Sequence, residues 1–261
     1  MSYLLAAGKA FEAPDAGHLF NYDPLFKIGS ISVTYPMLVL VGITLLLIAF
    51  FVGAFRSAKV VPVGAQNVGE AGIEFVEKQI AFPVLGSITP SWLPYITAVF
   101  FWVFFLNLME IVPGVQFPIT SRMAIPATLA ALAWLIYNAV GIKNQGFFGY
   151  FRNMLFPPGV PKWVYIFLTP IEFFSTLIFR PLTLALRLFA NMVAGHMLLT
   201  VIASATSVFL AGNIIGKIGF VIPGVFGVIM TGFELFVAFM QAFIISVLTA
   251  VYIAGAQEAH H

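Results

Sequence analysis

Polar residues interrupt this chain rarely, and where they cluster they mark the ends of apolar runs. From Tyr35 to Phe55, 21 residues pass without a charge, the length of one membrane crossing, and the run stops at Arg56 and Lys59. Charges return between Gln66 and Phe82, where Glu70, Glu74 and Glu77 recur at i, i+4 and i+7 beside Ile73, Val76 and Ile80. That separation of faces predicts an amphipathic helix over 66–82 lying on a membrane surface, or equally an ordinary solvated helix. Two more apolar runs, Leu93 to Val112 and Met123 to Ile142, are joined by the short Pro-rich turn Pro113 to Ser121, which predicts a helical hairpin over 93–142.

The next two runs are too long for a simple crossing. Val164 to Val208 is 45 residues, roughly 65 Å as helix at ~1.5 Å per residue, against a hydrocarbon core of about 30 Å. Val221 to Ala254 is similarly overlong. Such segments must tilt, break or run along an interface, and Pro181 permits a bend without ending the helix. Two neighbouring overlong helices with a Gly-rich turn from Gly212 to Gly219 predict a long, steeply tilted hairpin over 164–254. The expected fold is all-α and polytopic. It has five crossings plus the amphipathic helix, in a single integral membrane domain spanning 1–261, with 1–34 as an outer N-terminal segment.

Composition agrees with the pattern: 61% hydrophobic, 8% charged, mean hydropathy +1.02. There is no cysteine, which excludes disulfides and thiolate metal sites, and the net charge of +2 is too small to suggest nucleic acid. The first 34 residues contain Glu12, Asp15 and Asp23 and lack a basic start followed by an apolar run, so no targeting peptide is expected. Arg56, Lys59, Lys78, Lys143, Arg152 and Lys162 fall on one side of the membrane, and Lys9, Lys27, Arg122 and Lys217 on the other. The excess of positive charge inside then predicts an outer N-terminus and a cytoplasmic C-terminus.

Against this background a few polar residues stand out. Arg187 and His196 lie inside the first overlong helix, and Glu234 and Gln241 inside the second. A charge at the centre of a membrane helix costs about 2.5–3.5 kcal/mol on insertion scales, so such residues usually face protein or water and take part in moving ions. Facing positions in an antiparallel hairpin have a nearly constant index sum. The pairs His196 with Glu234 and Arg187 with Gln241 differ by only two in that sum, so one register sets both pairs together. Arg187 and Asn191 share a face, with Ala190, Ala194 and Gly195 keeping the nearby surface small enough for another helix to approach closely. His196, nine residues on, stands on roughly the opposite side.

Each residue also has a plainer interpretation. Arg187 could be a buried ion pair with Glu172 or Glu110, and His196 with Glu234 a hydrogen bond between helices with no traffic through it. The ion-path reading gains from imidazole chemistry, since the ring titrates near neutrality and a neighbouring carboxylate tunes it. Arg180 is expected to snorkel to the interface, Glu110 to sit at the outer rim, and Glu172 to line an aqueous route or an interface. His260-His261 is too short to suggest a metal site. The chain has no GxxxxGK[ST], HExxH or GxSxG motif, and no cofactor, metal or bond-making catalysis is expected of it.

Leu186-Arg187-Leu188-Phe189-Ala190-Asn191-Met192 with Ala194-Gly195, and Phe239-Met240-Gln241-Ala242-Phe243-Ile244, resemble the two signatures of subunit a of the F-type ATP synthase. Asn107-Leu108, Pro113, Pro181 and the order of spans extend the resemblance over most of the chain. It implies a stator component beside a rotating c-subunit ring, with b-type stator subunits, the remaining ATP synthase subunits and membrane lipid as partners and a bacterial plasma membrane as location. The implied role of Arg187 is to face the ring carboxylate and keep inlet and outlet proton half-channels apart. Asn191, His196, Glu234 and Gln241 match the outer half-channel. Many bacterial relatives carry Glu where this chain has His196 and His where it has Glu234, so this chain resembles the exchanged arrangement of mitochondrial members. Glu172 is offset by one residue relative to Pro181. A stand-alone channel or transporter is the alternative; it would conduct without a ring.

Overall fold

A computed structural model describes residues 25–28, 31–112, 115, 117–156, 161, 163–211 and 219–257. The termini, with His260-His261, and all but Gly219 of the expected turn at Gly212 to Gly219 lie outside them. Among the described residues the fold is helical apart from a two-stranded antiparallel ribbon, β1 (Phe26–Ile28) with β2 (Ile31–Val33). Five stretches are long and apolar enough to cross a membrane.

The first, α1 (Tyr35–Phe55), has the expected bounds and starts with Pro36 in its first turn, where a missing amide costs nothing. Only Pro36, Leu47 and Ala54 of it are buried, as suits lipid contact. The helix expected at 66–82 is α2 (Ala65–Val76), a π-turn (Glu77–Ala81) and α3 (Phe82–Leu85). Its apolar flank is covered by protein: Val76, Ile80 and Ala81 are fully buried, and Phe75 packs on Phe100 and Phe239. Glu74 and Lys78 pair on the exposed flank. The chain reverses at Gly86, whose φ of +54° suits glycine, and enters α4 (Thr89–Leu108). This helix ends four residues before the expected boundary, because tight turns from Glu110 N–H to Asn107 O and Ile111 N–H to Leu108 O take over.

After α5 (Ala124–Gln145) and the short α6 (Phe147–Leu155) comes α7 (Tyr165–Phe174), which continues through a second π-turn (Ser175–Phe179) into α8 (Arg180–Ala211). The apolar part of this run, Tyr165–Leu210, is 46 residues, or about 70 Å. Both π-turns end two residues before a proline, Pro83 and Pro181. Proline lacks an amide and its ring strikes the carbonyl four residues back; a wider turn moves that carbonyl aside without breaking the helix. The last helix, α9 (Val221–Gln257), is 37 residues long and packs against α4, α5 and α8. Its Ile245, Ala250 and Ile253 are fully buried in the main core, with Leu188 of α8, Ile96 and Val103 of α4, and Ala130 and Ala133 of α5. A smaller core of Leu106, Met109, Phe117 and Ile119 sits under the first half of α1.

Candidate ion path

The two long helices come into close contact at Gly195. A Cβ there would lie 2.5 Å from both carboxylate oxygens of Glu234, so glycine leaves the room that the carboxylate fills. The index sum of this contact falls between those of the two pairs expected from the sequence, so the hairpin register agrees to within one residue.

The structure gives His196 a carboxylate that the index sums do not pair with it. Nδ1 of the imidazole is 3.6 Å from Oε1 of Glu110, an ion-pair distance longer than a direct hydrogen bond. Adjacent helical residues project about 100° apart. With Gly195 turned to α9, His196 turns toward the chain just beyond α4. Glu110 is 5% exposed, folded inward by the turn that ends α4. Asn107, three residues earlier, is also buried, and its Oδ1 accepts a hydrogen bond of 3.0 Å from the Thr120 hydroxyl.

Asn107, Glu110, Asn191, Glu234 and Gln241, with apolar side chains of α8 and α9, line a cavity with about 10 Å³ open to the centre of a water molecule. That is close to the space one water needs. Asn107 Nδ2, Glu110 Oε1 and Gln241 Oε1 have no hydrogen-bond partner among the described residues. Unpaired buried polar atoms cost about 1–3 kcal/mol each, and a bridging water is the usual remedy. Two carboxylates, one of them beside an imidazole, thus meet at a gap of water size. That arrangement can accept, hold and pass on protons. Sequence reasoning singled out Asn191, Glu234 and Gln241 for the site, but it named Asn107 only within the family resemblance and set Glu110 at the outer rim. The signal available was their i, i+3 spacing at the end of an apolar run.

Arg187 stands elsewhere. It is exposed, on a stripe with Thr183, Ala190 and Ala194 that is also exposed. Among the described residues no carboxylate comes within 4.0 Å of it, so the buried pair with Glu172 or Glu110 is not formed. Gln241 faces the cavity behind this stripe, beside Leu188, Asn191 and Met192. Arg180 does not simply snorkel: its guanidinium lies 5.3 Å from the ring centre of Tyr252, a cation–π distance. Glu172 is partly exposed on α7, ahead of the π-turn.

Fold and site together define an integral membrane protein: a helical bundle with a polar gap inside and an exposed arginine, Arg187, on its wall. The family model described as ATP synthase A chain matches residues 36–254. Among curated relatives, ATP synthase subunit a of Parafrankia sp. (strain EAN1pec) is 46% identical over 82% of this chain and 74% of its own length. That of Rhodococcus erythropolis is 40% identical over 99% of this chain and 95% of its own length. Subunit a of Streptomyces lividans is 37% identical, covering 97% and 90%. The chain belongs to the ATP synthase subunit a family.

Proposed function

We propose that this chain is the proton-translocating stator subunit of a bacterial plasma-membrane ATP synthase, with Arg187 separating an inlet from an outlet half-channel. The observation that carries this is the placement of Arg187: the middle of an apolar helix, exposed on a face of small side chains, with no carboxylate within 4.0 Å among the described residues. In hydrocarbon that position is unfavourable by about 2.5–3.5 kcal/mol or more, so it calls for a partner that brings a negative charge and fits closely against Ala190 and Ala194. A ring of c subunits, each carrying a carboxylate, meets both requirements. As each carboxylate passes, the fixed guanidinium favours its ionised form, so the proton leaves on one side and cannot leak past.

The gap lined by Asn107, Glu110, Asn191, Glu234 and Gln241, with His196 on Glu110, serves as part of the outer half-channel in this reading. It lies behind the Arg187 stripe, on the side of α8 that faces α9. The b-type stator subunits, the soluble ATPase subunits and lipid cover the remaining surfaces, with the N-terminus outside and the C-terminus cytoplasmic. α7–α8 and α9 lie tilted, since each is about twice the ~30 Å core.

The test is Arg187→Ala in the assembled complex. Proton-driven ATP synthesis should vanish while passive proton leak through the membrane sector persists or rises. Arg187→Lys should also fail, because a compact ammonium lacks the planar, permanently charged fork. Wild-type synthesis in Arg187→Ala would end this reading. A stand-alone channel would instead conduct when reconstituted without the ring.

A further inference from the structure

The π-turn Ser175–Phe179 leaves one carbonyl without its regular donor. Within it Arg180 N–H donates to Ser175 O, five residues back. The next bond in that series would run from residue 181 to Thr176 O, and Pro181 has no amide. Thr176 is 3% exposed, and a buried backbone carbonyl needs a partner. The partner comes from another helix: the Tyr137 hydroxyl of α5 donates to Thr176 O at 2.8 Å. Tyr137 is itself 3% exposed. Its ring lies 5.4 Å from that of Tyr252, the same ring on which Arg180 rests.

We propose that Tyr137 is a positioning residue for proton translocation: its hydroxyl replaces the amide that Pro181 lacks, pins the π-turn, and so fixes the side of α8 on which Arg187 stands. Turning this π-turn into an α-turn would rotate α8 by about 100° relative to α7 and push it out by ~1.5 Å. Arg187, seven residues beyond Arg180, would then leave the exposed stripe it shares with Thr183, Ala190 and Ala194. The inference rests on the reading of Arg187 given above.

Tyr137→Phe keeps the ring and its contact with Tyr252 and removes only the donor. Pro181→Ala restores an amide at the position where Thr176 O lacks one. In assembled ATP synthase in inverted vesicles, Tyr137→Phe should lower proton-driven synthesis about ten-fold, the scale set by leaving one buried acceptor without a donor. Tyr137→Phe with Pro181→Ala should recover to within about two-fold, a rescue that loss of ring packing cannot produce. The chain has no cysteine, so a single cysteine at Ala190 reports the face directly. Its cross-linking to a cysteine on the ring should fall in Tyr137→Phe and return in the double variant. If Tyr137→Phe fails to assemble, the same rescue is scored on assembly. Normal synthesis in Tyr137→Phe, or a double variant no better than the single one, overturns the proposal. Arg187→Ala run in parallel separates the two ideas: inactivity there beside a normal Tyr137→Phe removes the pin alone, whereas activity there removes the reading of Arg187.

Discussion

Two polar clusters flank the hairpin of α8 and α9, and they are built on opposite terms. Around Glu110, His196, Glu234 and Gln241, three buried polar atoms lack a hydrogen-bond partner among the described residues, and a gap of water size lies between the side chains. Around Arg180, the charge rests on the Tyr252 ring, Tyr137 donates to Thr176 O, and Tyr150 donates to Asn138 Oδ1 at 3.0 Å. That second cluster has orphans too, Thr176 Oγ1 and Trp134 Nε1, but neither ionises. The same two helices thus carry exchangeable polar groups at one end and committed ones at the other. A group whose partners are all protein holds a helix in place; a group whose partner is water can change partners, which is what passing a proton requires.

If that contrast is sound, substitutions at the first cluster should change flux and those at the second should change stability. The largest effect is expected at Gly195. Gly195→Val drives a branched side chain into the space of the Glu234 carboxylate. Glu234 can swing aside, so the complex should assemble while proton-driven synthesis falls by about 100-fold, the low end for losing a positioned proton-transfer group. Assembly failure without any flux defect in the assembled fraction would break the comparison.

Next comes Glu110→Gln, which keeps shape and removes the charge beside His196. A hydrogen bond or ion contact to a charged group is worth about 1.5–3 kcal/mol, so roughly a ten-fold loss of flux follows if the contact matters at the transfer step. Combined with His196→Gln, the losses should be less than additive, with a coupling of about 0.5–3 kcal/mol. Simple additivity in synthesis rates would show that the 3.6 Å contact does not act as a unit.

At the other cluster, Gly141→Ala pushes a methyl into the Tyr150 ring. Overpacking of this kind costs about 1–3 kcal/mol, visible as a lower thermal midpoint of the purified complex with unchanged synthesis per assembled complex. Tyr150→Phe should cost least, about 1 kcal/mol for one hydrogen bond to Asn138. A flux defect in either variant at normal stability would erase the distinction between the two ends.

Much of this was legible in the order of residues. Run lengths gave the helices, with α1 matching to the residue and the two overlong helices appearing as expected, because the ~30 Å hydrocarbon core sets a fixed length. The cost of a charge in that core singled out Arg187, His196 and Glu234 without any structure. The index sums placed Glu234 against α8 within one residue, because antiparallel pairing is linear in residue number. The boundary of α4 was less legible, since turns at Asn107 and Leu108 end it while the sequence stays apolar.

Partner choice belonged to the tertiary structure. His196 meets Glu110, a partner the index sums do not give, because the 100° step between neighbouring helical residues turns Gly195 toward α9, while a turn after α4 folds Glu110 inward. The π-turn, too, answers to distant residues, since the carbonyl facing Pro181 is satisfied from Tyr137, 39 positions away. Helix length and charge cost are local or set by the bilayer, so the sequence by itself determined where the helices run and which of their residues are expensive. Which groups those residues face depends on the rotation of each helix about its axis, and that is fixed only when all the helices pack together.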